Sequence, residues 1–237
     1  MDSRIRHTLC VSKAARLAAF FVFGFLVHSP YSNPMFDHQL RPIIDRPLNA
    51  AARLLARWGI GADQITWAGF AIGMAAAGSI AFELYLFGLI LILASRAADG
   101  LDGAVARATG SASDRGGFLD IVLDFLFYSA IPFAFAVAAP DQNALAAAFL
   151  IWSFIGTGAS FLGYAVIAEK RGISTDARGR KSLFYLGGLT EGAETILFLC
   201  LICLWPQHFA VMAWVFATLA WITTATRIYM GWADFKD

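Results

Sequence analysis

DGLDGAVARATGSASDRGGFLDIVLD, residues 99–124, sets Asp99, Asp102, Asp120 and Asp124 in a chain that is otherwise largely apolar. Written as a pattern, it is D-x-x-D-G-x-x-A-R, eight residues, then G-x-x-x-D-x-x-x-D. Separations of three and four residues place each carboxylate pair on one face of a helix. Apolar runs flank the stretch on both sides. At about 1.5 Å rise per residue, the two pairs then reach similar depths on neighbouring helices. Carboxylates in or beside hydrocarbon are expensive and mark function by default.

Working outward, the 237 residues are 59% hydrophobic and 15% charged, with mean hydropathy +0.63. Soluble domains carry roughly 25% charged residues, so a bilayer is the expected solvent. Six runs approach the roughly 20 residues a spanning helix needs. They cover about 65–82, 84–104, 116–139, 144–168, 183–204 and 209–226. Glu83, the stretch Pro140-Asp141-Gln142-Asn143 and the stretch Trp205-Pro206-Gln207-His208 mark junctions between them. Upstream, Leu40, Ile43, Ile44, Leu48, Leu54 and Leu55 recur at helical spacing, with Arg41, Arg46, Arg53 and Arg57 between them. That pattern predicts an amphipathic helix lying on the membrane surface.

The expected fold is therefore an all-α integral membrane protein: six transmembrane helices preceded by an N-terminal interfacial amphipathic helix. Its parts are an extension over 1–34, the interfacial helix over 35–63 and a six-helix membrane domain over 64–237. In the extension, the apolar run 17–27 follows Arg4, Arg6, Lys13 and Arg16, as in a signal-like segment. Met35 is the alternative start.

Of the 18 Lys and Arg residues, none falls in the loops after the first, third and fifth spans. They gather at the two ends of the chain and in loops around Arg96–Arg115 and Lys170–Lys181. Positive residues mark cytoplasmic loops, so both termini and the carboxylates are expected on the cytoplasmic side of an inner membrane. A net charge of +1 gives no reason to expect a nucleic-acid partner. Cys200 and Cys203 form a C-x-x-C inside an apolar run, where packing is the expected role rather than redox or zinc chemistry.

Four clustered carboxylates need a counter-charge. Hard divalent cations with oxygen ligands, Mg²⁺ or Mn²⁺, supply it and also bind diphosphate. Two such ions, held by Asp99, Asp102, Asp120 and Asp124, suit an in-line displacement at phosphorus. Gly103 allows a ligand near the backbone, Gly116 allows close helix packing, and Arg107 can neutralise a phosphate. Two other readings use intramembrane Asp residues: a cation pathway and a prenyl-diphosphate transferase. The first is expected to show inverted repeats and the second a further Asp-rich motif; neither is evident in the sequence.

At every signature position, including the eight-residue gap, the stretch Asp99–Asp124 resembles the motif of the CDP-alcohol phosphatidyltransferases. The resemblance extends from about residue 36 to the C-terminus. It implies transfer of a phosphatidyl group from a CDP-lipid, usually CDP-diacylglycerol, to an alcohol, with CMP released. It implies metal ligation by Asp99, Asp102 and Asp120, and a general-base role for Asp124, which also touches the second metal. The CDP-lipid contacts it implies are Thr66, Asp102, Gly103, Arg107 and Gly116, and it implies a homodimer. Ala62-Asp63 stands where the family usually has Pro-Asn before that Thr. Ile121 and Phe125 stand where the glycerophosphate-using branch commonly has Pro and Lys, which argues against glycerol 3-phosphate as acceptor. The acceptor is otherwise open. Arg180 and Lys181, with Arg227, suit an acceptor phosphate. Glu191, one residue after a possible N-cap at Thr190, suits an acceptor amine.

Overall fold

In the computed structural model the described residues are 48–172, 190 and 192–236, and among them every regular element is helical. A segment over 48–57 forms α1. The others are α2 (Ala62–Ala81), α3 (Tyr85–Thr109), α4 (Asp114–Ala138), α5 (Pro140–Lys170), α6 (Gly192–Leu204) and α7 (Phe209–Asp234). A 3₁₀ turn, Pro206–His208, leads into α7. Helices α2, α4 and α5, and α7 with its 3₁₀ turn, are long and apolar enough to cross a membrane. Helix α3 has the length but carries Arg96, Asp99, Asp102 and Arg107 in its second half.

Short junctions enforce an up-and-down course. Glu83 turns the chain between α2 and α3 in the left-handed region, φ 61°, and its N–H bonds to the Ile80 carbonyl at 2.9 Å. Between α3 and α4 only residues 110–113 intervene. Gly110 caps α3 at φ 65°, as a helix end closing in the left-handed conformation requires. The Ser113 hydroxyl then caps α4 by accepting from the Gly116 N–H at 3.1 Å. Pro140 opens α5, where its missing N–H is harmless. The buried Asn143 side chain ties α5 back to the Phe135 carbonyl at 3.0 Å.

The expected junctions at Glu83, Pro140 and 205–208 hold, but helix ends shift. Helix α3 runs to Thr109, past the expected end near 104, because Thr109 and the Gly110 cap extend it. Arg96, assigned above to a cytoplasmic loop, is instead a buried residue in the middle of α3. Of the expected fifth span, the described helix is the 13 residues Gly192–Leu204; 183–189 and Glu191 lie outside the described residues. The same holds for 1–47, and so for the extension and for 35–47 of the expected surface helix; of its remainder only 48–57 is that helix, because the chain turns at 58–61 and Ala62 opens α2.

Helix α2 is the platform of the site. It packs extensively on α3 and also on α4, whereas α3 and α4 approach each other far less closely. Glycines bring the partners in. A Cβ at Gly69 would lie 3.0 Å from that of Ala98, and one at Gly73 would lie 2.6 Å from the Phe127 ring. Ser95 fixes the register by donating to the Gly69 carbonyl at 2.8 Å. Beneath, α1 turns Ala52, with Leu48 and Leu55, onto Ile65, Ala104 and Val105. That stripe therefore packs on protein, while Leu54 and Trp58 stay exposed.

Helix α5 packs on α7 and α4, and α6 leans on α3. The main core gathers Ile80, Leu89, Phe127, Ile131, Phe135, Leu150, Leu199 and Phe209. Cys200 and Cys203 are buried in it, free of any disulfide.

Candidate active site

Since α3 and α4 both rest on α2 rather than on each other, a cleft remains between them at the end where the Asp residues lie. Thr66, Gly69, Phe70, Ser95, Arg96, Asp99, Asp102, Asp120, Leu123 and Asp124 line it, around about 250 Å³ of empty space that includes open solvent. All four acidic residues of the motif reach this one cleft. Three of them converge: Asp99, Asp120 and Asp124 each offer a carboxylate oxygen, and these oxygens lie within 4.8 Å of one another. An all-oxygen donor set of that span is chemistry for a hard divalent cation.

Asp102 stands slightly apart. It is buried, and its Oδ2 accepts a 2.6 Å hydrogen bond from the Thr66 hydroxyl of α2. The Thr66 hydroxyl also lies 3.1 Å from the Ala62 carbonyl, the other acceptor within reach of its single proton, and so sits between its own helix and α3. The structure thus brings Thr66 into the cleft beside Asp102.

Arg96 was not anticipated as part of the site. Its side chain is 7% exposed, and Nη1 donates to Asp124 Oδ1 at 2.6 Å while lying 3.6 Å from Asp99 Oδ1. The guanidinium lies over the Phe127 ring, 4.1 Å from its centroid, and 5.5 Å from that of Tyr128. One clue in the sequence is its position three residues before Asp99, which places both on the same helix face.

The remaining candidates lie around this centre without lining it. A Cβ at Gly103 would meet Arg107 Nη1 at 3.2 Å, so the arginine arches over the glycine beside Asp102. A Cβ at Gly116 would lie 3.6 Å from Asp63 Oδ1, and Asp63 forms an ion pair with Arg115. The Arg115–Asp63 ion pair holds the first turn of α4 to that of α2. Arg227 is buried in α7, donates to the Thr157 carbonyl at 3.1 Å and lies over Phe161 at 5.4 Å. Thr190 donates to the Thr223 hydroxyl at 3.4 Å. Arg180, Lys181 and Glu191 lie outside the described residues.

The profile of the CDP-alcohol phosphatidyltransferase family matches residues 60–228. The chain belongs to that family. It is an enzyme of the CDP-alcohol phosphatidyltransferase class, a membrane transferase of phospholipid biosynthesis that uses a CDP-lipid, and this sets aside the cation-pathway and prenyl-diphosphate readings.

Among its relatives, inner membrane protein YnjF of Escherichia coli is 50% identical over 203 residues, 86% of this chain and 98% of that protein. The archaetidylinositol phosphate synthase of Pyrococcus horikoshii is 30% identical over 191 residues, 81% of this chain and 94% of the relative. In fold, the chain resembles Mycobacterium tuberculosis phosphatidylinositol phosphate synthase crystallised with CDP-DAG bound. That likeness has TM-score 0.60 at 22% identity and covers 79% of this chain and 94% of that one. The same enzyme in complex with manganese and citrate gives TM-score 0.59 at 22% identity, covering 78% and 88%.

Proposed function

We propose that the cleft binds the diphosphate of a CDP-lipid, CDP-diacylglycerol, and transfers its phosphatidyl group to a small alcohol with release of CMP. The observation carrying this reading is the convergence of Asp99, Asp120 and Asp124 from two helices, with Asp102 against Thr66 on the same cleft. Those carboxylates fit Mg²⁺ or Mn²⁺, up to two ions per site, with Asp99, Asp102 and Asp120 as ligands and Asp124 shared. Manganese in a protein of the same fold supports the assignment. When bound there, divalent cations offset the charge of the diphosphate and of the departing CMP.

Asp124 acts as the general base. It takes the proton of the acceptor hydroxyl while a new phosphorus–oxygen bond forms and the bond to CMP breaks. Arg107, above Gly103, faces the diphosphate, and Gly116 keeps α4 close enough for the nucleotide to touch both helices. Thr66 orients Asp102 and contacts the cytidine side. Acceptor recognition falls to Arg180, Lys181 and Arg227, with Glu191 as the group that would favour an amine.

Two of the related proteins are named as synthases of inositol phosphate lipids. Together with the basic loop Lys170–Lys181, that ranks a phosphorylated inositol first among acceptors. The proposed membrane arrangement keeps six spans preceded by an interfacial segment, whose described helix α1 (48–57) leaves Leu54, and Trp58 just beyond it, exposed to meet lipid. The cleft faces the cytoplasm across the inner membrane, and the working unit is a homodimer. The extension 1–34 lies outside the catalytic domain 64–237.

The test is CMP release by purified protein in detergent with CDP-diacylglycerol and Mn²⁺ or Mg²⁺. Inositol phosphate, glycerol 3-phosphate, serine, inositol and choline are supplied in parallel. Metal-dependent release with inositol phosphate is expected. Release with serine alone would move the acceptor role to Glu191, and no release with any acceptor would contradict the transfer reading.

A further inference from the structure

We infer that Arg96 is a positioning residue for the transfer, a tethered cation that orients Asp124 and shares the carboxylates with the metal. The inference rests on the transfer reading above. A guanidinium buried among helices demands partners, and Arg96 has two carboxylates from two different helices. Its Nη1 lies between Asp99 Oδ1 on its own helix and Asp124 Oδ1 on α4, so it bridges the two walls of the cleft. Its direction is fixed as well. The Phe127 ring lies beneath it at 4.1 Å, and Nη2 is 3.4 Å from the Ser95 hydroxyl that anchors α3 on α2.

Two consequences follow, and they have opposite signs. Holding Asp124 Oδ1 at 2.6 Å leaves Oδ2 as the oxygen that meets the acceptor hydroxyl, so losing Arg96 lowers turnover. The same positive charge repels a divalent cation among the carboxylates, so losing it tightens metal binding. A residue that merely supported the fold would move both in the same direction.

The test compares Arg96→Met, which keeps an unbranched side chain without charge, with Arg96→Lys, which keeps charge without the planar fork. Mn²⁺ affinity is read by electron paramagnetic resonance on purified protein without lipid, and kcat and KM for CDP-diacylglycerol by CMP release. Arg96→Met is expected to bind Mn²⁺ about tenfold more tightly. Its kcat should fall about 100-fold, with KM for the CDP-lipid nearly unchanged. Arg96→Lys should restore the wild-type Mn²⁺ affinity and part of kcat. Weaker or unchanged Mn²⁺ binding in Arg96→Met, or wild-type kcat in either variant, would overturn the inference. Should Arg96→Met not fold, wild-type kcat in Arg96→Lys would still overturn it, and a reduced kcat at wild-type Mn²⁺ affinity would support it. Tighter Mn²⁺ binding in Arg96→Met together with no CMP release by the wild type would contradict the transfer reading while leaving Arg96 in place as the shared cation.

Discussion

The two ends of this helix bundle solve opposite problems. At one end, Tyr85, Phe135 and Phe209 close α3, α4 and α7 in a stack, with ring centroids 5.5 Å and 4.4 Å apart and planes within 18°. Asn143 and Pro140 lock the same end with a side-chain bond and a pre-set backbone. At the other end α3 and α4 part, and Arg96, Asp99, Asp102, Asp120 and Asp124 line the space between them. The closed end supplies stability and the open end supplies chemistry. Like charges across a gap oppose closure, so the apolar end must hold the helices in register for the charged end to stay open.

Mutations can separate these roles, beginning with the largest effect. Phe135→Ala empties a fully buried ring site and should destabilise the protein by about 3 kcal/mol. A lower thermal midpoint with KM for the CDP-lipid nearly unchanged would fit the division. A parallel collapse of CDP-lipid binding in the folded variant would show that the ends are not separable. At the open end, Thr66→Val removes the hydroxyl that donates to Asp102 at 2.6 Å. Here kcat/KM should fall about tenfold while the thermal midpoint changes little. A large drop in midpoint instead would make Thr66 a fold residue. The smallest effect is expected at the turn beside Tyr85, at Glu83, whose φ of 61° suits glycine. Glu83→Gly should stabilise by about 0.5 kcal/mol in chemical denaturation, because relief of that backbone exceeds the added freedom of the unfolded chain. A loss of stability would show that the Glu83 side chain does more than turn the chain.

The same contrast explains what was legible from sequence. Charged residues in an apolar chain are costly, so Asp99, Asp102, Asp120 and Asp124 declared themselves, and spacing placed each pair on a helix face. The junctions at Glu83 and Pro140 were legible because turns draw on few residue types. Spacing says nothing of which helix lies opposite, however. The platform role of α2 depends on Gly69 and Gly73, and glycines in an apolar run have several other uses. Arg96 was misplaced for a related reason. Read for topology, an arginine near a helix end marks the cytoplasmic side, and only the approach of Asp124 from α4 shows it as an internal counter-ion. Part of the stripe on α1 looked like a membrane-facing surface and instead covers Ile65 and Val105, since apolar periodicity alone cannot distinguish lipid from protein.

The central claim is that this carboxylate cleft performs metal-dependent phosphatidyl transfer with Asp124 as base. Its most direct test is CMP release from CDP-diacylglycerol by wild type and Asp124→Asn, in the same detergent and with the same acceptor and Mn²⁺. The account predicts metal-dependent release by the wild type and a fall of at least about 1,000-fold in Asp124→Asn, with a folded protein that still binds Mn²⁺ through Asp99 and Asp120. Wild-type turnover in Asp124→Asn would contradict it.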